Sequence, residues 1–133
     1  MKIAITAHGD NRHGAVDSRF LQADYFVLYD QERNTWDSLS HAKHITSTPE
    51  RFLQTGQELS NIGVKVLITG HIGPKAFKML QAEQITIYSL GEMNNTSAVE
   101  VEEVLLAFLS GRLMPIIVPN ALDLKKQQRN HKN

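Results

Sequence analysis

Apolar and polar positions along the chain fall into short blocks, and the period changes from block to block. Residues 2–7 alternate so that Ile3 and Ile5 share one face and Ala4 takes the other, the pattern of a first strand. A polar, glycine-containing stretch runs from His8 to about Leu21. Residues 25–30 (Tyr-Phe-Val-Leu-Tyr-Asp) form a second, aromatic and branched run, in which Tyr25 and Phe26 read as sheet-packing residues. After a polar turn at 31–34, residues 35–39 with Trp36 predict a short third strand that closes a hairpin with the second.

The period then lengthens. Thr48-Pro49 is a helix start: a capping hydroxyl followed by a proline whose missing N–H costs nothing at the first helical position. Phe52, Leu59 and Ile62 recur near helical spacing, and Gly63 is a natural stop. Gly56 weakens the middle of this helix, which points to a close packing partner. Residues 64–69 are an apolar run ending at Gly70, as in a buried parallel strand. Gly73-Pro74 opens a helix carrying Ala76, Phe77 and Leu80, and residues 85–90 give a fifth strand. Ser97-Ala98-Val99-Glu100 reads as a capping box for a last helix with Val101, Val104, Leu105, Phe108 and Leu109 on one face, ended by Gly111.

The order is β-β-β-α-β-α-β-α, an α/β chain. Helix-linked strands imply right-handed parallel crossovers, and the hairpin adds antiparallel partners. One mixed five-stranded sheet flanked by helices is the simplest result. The third strand is then a sheet edge, where a second copy of the chain has room to pair.

Composition narrows the chemistry. The chain has 133 residues, enough for one domain that needs no covalent staple. It has no cysteine, so disulfides and thiolate-held zinc or iron–sulfur sites are excluded. Formal charge balances overall, but residues 119–133 carry Lys125, Lys126, Arg129 and Lys132 against Asp123 alone. The domain is therefore read as 1–113 and residues 114–133 as a basic, flexible tail, a solvated chain end and not a nucleic-acid contact. No segment approaches the ~20 apolar residues of a membrane span, and the opening apolar run is too short for a signal peptide, so the expected location is the cytoplasm.

Candidate chemistry follows from topology. In open α/β sheets ligands bind beyond the carboxyl ends of the parallel strands. Here that crevice lies between the loop after Ala7, with His8, Arg12 and His13, and the loop after Thr69, with His71, Ile72 and Gly73. Residues 91–96 form a third wall. Gly73-Pro74 turns a helix N-terminus toward the crevice, and such a terminus attracts anions. His8 and His71 converge if the topology holds, and are the candidate metal ligands. Arg12 suits an oxyanion; Arg19 is read first as an ion-pair partner of Asp17 or Asp24. His41 and His44 are read as surface residues.

Two stretches resemble a known family. Val16-Asp17-Ser18-Arg19-Phe20 with Ala23-Asp24-Tyr25-Phe26 is similar to its V-x-x-[RH]-F-G-x-A-x-x-F segment. Gly63-Val64, Val66-Leu67-Ile68 and Gly70-His71-Ile72-Gly73-Pro74-Lys75-Ala76 is similar to its G-V-x-x-V-I-x-G-x-x-G-P-x-A segment. The family is that of dinitrogenase iron–molybdenum cofactor biosynthesis (NifX and NifB C-terminal-like). The chain departs from it at Phe20-Leu21-Gln22, where the family often has Phe-Gly followed by a cation, and carries Arg19 where nitrogen-fixation members have a histidine. The resemblance implies a ribonuclease H-like motif fold over about residues 1–113. It also implies a non-catalytic carrier for an iron–sulfur or molybdenum-type metal cofactor or its precursor, exchanged with a donor or acceptor protein and bound without cysteine.

Two other classes compete. A two-metal nuclease needs convergent carboxylates on strands, and the first strand has no acid. A protein-interaction or regulatory module with a vestigial or simple anion pocket is the alternative. No nucleophile arrangement, P-loop or dinucleotide fingerprint is legible.

Overall fold

The computed structural model describes residues 1–41, 49–91, 93 and 99–120, and for residues 49–53 the backbone alone. Thr48, the Phe52 side chain, His44, Glu92, residues 94–96, Ser97 and residues 121–133, to which several expectations attach, lie outside the described residues. The elements are β1 (Lys2–Ala7), β2 (Tyr25–Asp30), β3 (Thr35–Ser40), α1 (Pro49–Asn61), β4 (Val64–Thr69), α2 (Pro74–Ala82), β5 (Thr86–Ser89) and α3 (Val101–Leu109). They pair into a mixed five-stranded sheet in the order β3-β2-β1-β4-β5. β1, β2 and β3 are antiparallel, with Ile5 opposite Val27, while β1, β4 and β5 run parallel, with Ile5 beside Ile68.

Strand alternation sorts the core into two layers. Ala4, Phe26, Leu28, Leu67 and Ile87 pack with Leu59 of α1 and with Ala76, Phe77 and Leu80 of α2. Ile3, Ile5, Val27, Val66 and Ile68 pack with Val101, Val104 and Leu105 of α3. The Ile3/Ile5 versus Ala4 split read from the sequence is thus the division between the layers. Gly63 and Gly111 end α1 and α3 at φ +90° and +73°, conformations a Cβ would strain. Gly56 has its close partner: a Cβ there would stand 2.9 Å from Met79 Cγ of α2.

Three expectations are corrected. The capping box does not start α3, because Glu100 is itself the N-cap, extended at φ −82° and ψ 151°. It is held so because residues 99 and 100 pair with the loop after β1. Val16 N–H donates to Val99 O, and the Val101 and Glu102 N–H groups donate to the Gly14 and Arg12 carbonyls, each at 2.9 Å. Backbone carbonyls thus do the capping. His41 is not a surface residue: it is 3% exposed, and its ring lies 4.4 Å from that of Phe26 and 5.8 Å from that of Phe20. Its backbone N–H donates to Asp24 O, which draws it inward at the end of the hairpin. Residues 114–116, assigned to the tail, run instead along the outer edge of β5. Ser89 N–H donates to Met114 O and Ile116 N–H to Ile87 O. Pro115 between them has no N–H to offer outward, so this added edge is blunted against further pairing.

Candidate functional site

Near their ends β1 and β4 set Thr6 beside Thr69, both fully buried. Their hydroxyls are hydrogen-bonded at 3.0 Å, and the Thr6 hydroxyl donates to the Asp17 carbonyl at 2.5 Å. An open crevice was expected here, but residues 16–20 roof it. Val16 pairs antiparallel with Ala7, and Asp17 N–H donates to Thr6 O. Phe20 then drops into the core, 1% exposed. Any ligand surface therefore lies on the roof, where Arg19 and His71 are partners in a parallel bridge.

The loop entering α2 is saturated. Gly70 N–H and His71 N–H both donate to Ser18 O, at 3.0 and 2.6 Å, and His71 O accepts from Phe20 N–H. From the other side Asn120 Nδ2 donates to Gly70 O at 2.9 Å, Asn120 Oδ1 accepts from Ile72 N–H at 2.8 Å, and Asn120 N–H donates to Ile72 O at 3.1 Å. Every backbone polar group of residues 70–72 is engaged, so this stretch is rigid and has no N–H left for a ligand. Ile72, named as a site residue, is 1% exposed and serves the core. What faces outward is the exposed His71 side chain and the first turn of α2. Gly73 is the extended N-cap there, no side chain caps it, and Pro74 follows.

His8 flanks the roof. Its Nδ1 lies 3.5 Å from Asp17 Oδ2 and 4.0 Å from Asp24 Oδ2. Asp17 is 2% exposed, and Arg19 forks onto it with Nε 3.0 Å from Oδ1 and Nη2 3.2 Å from Oδ2. Arg19 N–H also donates to Oδ1 at 2.9 Å. Burial pushes the Asp17 pKa up, but the Arg19 fork, the Arg19 N–H and nearby His8 outweigh it and hold the carboxyl below its ordinary value. No hydrogen bond or ion pair among the described residues joins His8 to His71. They are linked through Asp17 and Arg19.

Arg12 and His13 lie elsewhere, at the start of α3. His13 Nδ1 is 3.2 Å from Glu100 Oε1, and Arg12 Nε is 4.0 Å from Glu102 Oε2. The loop carrying them closes where Gly9 and Gly14 touch: a Cβ on either would stand 2.9 Å from the other's Cα. Among the described residues no group of three or more His, Asp or Glu converges as a metal-holding set. No helix there is long and apolar enough to cross a membrane.

Sequence reasoning passed over three features of the site. Thr6 and Thr69 had a signal, being hydroxyls at matching places near the ends of apolar strands. The fork of Arg19 on Asp17 was visible as an ion pair, but not the burial of the carboxylate. Asn120 had none.

The comparisons with known proteins agree with this fold. The apo form of the orange protein from Desulfovibrio gigas superposes with a TM-score of 0.78 at 31% identity, over 90% of this chain and 96% of that one. A putative NifB protein from Thermotoga, of the DUF35 family, superposes with a TM-score of 0.72 at 27% identity, over 90% of this chain and 97% of that one. Among curated proteins none matches. A family model described as dinitrogenase iron-molybdenum cofactor matches residues 1–111, which takes in the whole sheet, the roof and the α2 terminus. On that match, and on the shared fold, this chain belongs to the dinitrogenase iron-molybdenum cofactor family.

Proposed function

We propose that the chain is a non-catalytic binding or carrier protein for an anionic metal–sulfur cofactor of the iron–molybdenum type, or for its precursor. The observation that carries this reading is the roof itself. His71, its side chain exposed, pairs by backbone with Arg19, whose guanidinium is half-exposed, at a helix N-terminus that no side chain caps. A helix N-terminus favours an anion, and the His71 ring offers a further polar group beside it.

The donor set agrees with such cargo. With no thiolate in the chain, all the sulfur around the metal of such a group would come with the group. The protein then recognises an anionic surface through N–H donors, with His71 and His8 as the side chains able to ligate a metal. Gly73 belongs to this site through the α2 terminus. Arg12 and His13, paired with Glu100 and Glu102, support the loop from outside it. The family membership and a neighbour described as an apo form support a carrier role, with a donor or acceptor protein as partner and the cytoplasm as the place of exchange.

The test is anaerobic incubation with ferrous iron, molybdate and sulfide, then desalting, metal analysis and visible absorption. Bound metal and colour are expected, and both should fall with His71→Ala. Colourless, metal-free protein after this treatment would overturn the reading.

A further inference from the structure

Asn120 lies nine residues beyond the family-matched segment 1–111, yet it makes three hydrogen bonds to the loop that carries the candidate ligand His71. Its side-chain amide acts as a strand would, accepting from Ile72 N–H and donating to Gly70 O, while its own N–H reaches Ile72 O. Ser18 O holds the same loop from the opposite side through Gly70 N–H and His71 N–H. The loop is therefore clamped between two segments that are distant in sequence. The clamp on the C-terminal side is brought there by residues 114–116, which are pinned to β5.

The saturation of residues 70–72 has a consequence for recognition. A loop whose polar groups are all engaged has one backbone arrangement and can meet a ligand only with what lies on its outward side. There the His71 ring and the first turn of α2 are held in fixed relation. Loss of the Asn120 amide releases Ile72 N–H and Gly70 O together, on either side of His71, and gives the loop alternatives that draw His71 away from α2.

We propose that Asn120 is a positioning residue for anion binding: it preorganises residues 70–73 so that His71 and the α2 terminus act on one ligand. The inference rests on the functional reading above and adds a residue and a segment to it. It assigns the C-terminal strap a part in recognition beyond covering a sheet edge.

The experiment is calorimetric titration of the full chain with tetrathiomolybdate, a simple molybdenum–sulfur anion, for the wild type, Asn120→Ala, His71→Ala and the double variant. Asn120→Ala should weaken binding about tenfold, the equivalent of one hydrogen bond's worth of preorganisation. The double variant should bind no more weakly than His71→Ala alone, because Asn120 acts through the loop that places His71. Amide exchange should quicken at Ile72 and stay unchanged along β4, showing that the sheet is intact. If Asn120→Ala proves poorly folded, Asn120→Ser gives the same comparison. Unchanged affinity in Asn120→Ala, or losses that simply add in the double variant, overturns the role of Asn120 while leaving the functional reading standing. Failure of the wild type to bind the anion overturns both.

Discussion

Arg19 reaches back two residues to grip Asp17, a half-exposed guanidinium closing over a carboxylate that is 2% exposed. The pair ties the roof of the site to the ends of the parallel strands, because the Asp17 carbonyl accepts from the buried Thr6 hydroxyl. Its charge state therefore matters to the fold as well as to the surface above it.

The Asp17 carboxyl sits below its ordinary value in the folded chain, where Arg19 and His8 outweigh its burial. A depressed carboxyl contributes stability that is complete above the unfolded value of about 3.9 and is lost as pH falls through the folded one. Asp17→Asn should cost about 1.5–3 kcal/mol at pH 7, the range for a hydrogen bond to a charged group. The gap from wild type should narrow below about pH 4, where the unfolded carboxyl takes up a proton first, and close once the native one does so at lower pH. Urea unfolding at pH 7 and pH 3 measures this. A gap that is the same at both pH values would show that the charge is irrelevant.

Thr6 and Thr69 offer a sharper test of the buried polar seam. Thr6 holds both the Asp17 carbonyl and the Thr69 hydroxyl, so Thr6→Val strands two buried groups. Thr69→Val leaves the Thr6-to-Asp17 bond in place. Unsatisfied buried groups cost about 1–3 kcal/mol each. Thr6→Val should therefore destabilise by about 2 kcal/mol or more, and Thr69→Val by under about 1 kcal/mol. The double variant should lose no more than Thr6→Val, since the Thr69 hydroxyl is no longer there to be stranded. Equal single-variant losses in denaturant unfolding would refute the assigned hydrogen-bond direction.

The sheet was legible because each strand and helix carries its own period, and period depends on local side-chain direction. What escaped was set by distant backbone. The Ser97-x-x-Glu100 spacing imitates a capping box, but the carbonyls that cap α3 come from Arg12 and Gly14, in a loop at the other end of the chain. His41 looked polar and peripheral until the rings of Phe20 and Phe26 closed around it. At the site, His71 and Gly73 could be placed from the strand–glycine–proline pattern. The roof over the crevice could not, because residues 16–20 have no period and are held by bonds to Thr6, Gly70 and His71. Arg12 and His13 were grouped with His8 by sequence nearness, whereas the Gly9–Gly14 contact turns them toward α3.

Gly56 sets a balance whose sign can be worked out. Alanine in mid-helix gains about 1 kcal/mol over glycine. Its Cβ, however, would meet Met79 Cγ at 2.9 Å and Sδ at 3.1 Å, and Met79 is itself buried at 7% exposure. Overpacking of this kind costs about 1–3 kcal/mol. Gly56→Ala should thus be destabilising by about 1 kcal/mol in the native chain. In a Met79→Ala background the clash is gone, and the same substitution should stabilise by about 1 kcal/mol. The reversal of sign in a double-mutant cycle is the decisive reading; the same sign in both backgrounds would mean the helices do not meet at this point.

α2 ends with a different economy. Ile85 N–H donates to Leu80 O and Gln84 N–H to Gln81 O, both at 2.9 Å, and Ile85 and Leu80 share one buried cluster. These are the bonds and the apolar contact of a Schellman motif, which places a left-handed residue just after the helix cap. Here that residue is Gln84, at φ +59°, exposed and without the freedom glycine has. The left-handed region costs an ordinary L-residue about 1–2 kcal/mol, and glycine gives part of that back through its larger unfolded-state entropy. Gln84→Gly should therefore stabilise the chain by about 0.5–1 kcal/mol. Gln84→Ala, which keeps the strain, should change stability by less than about 0.5 kcal/mol. Thermal unfolding of the two variants separates the backbone effect from loss of the side chain, and equal shifts for Gly and Ala would remove the strain from the account.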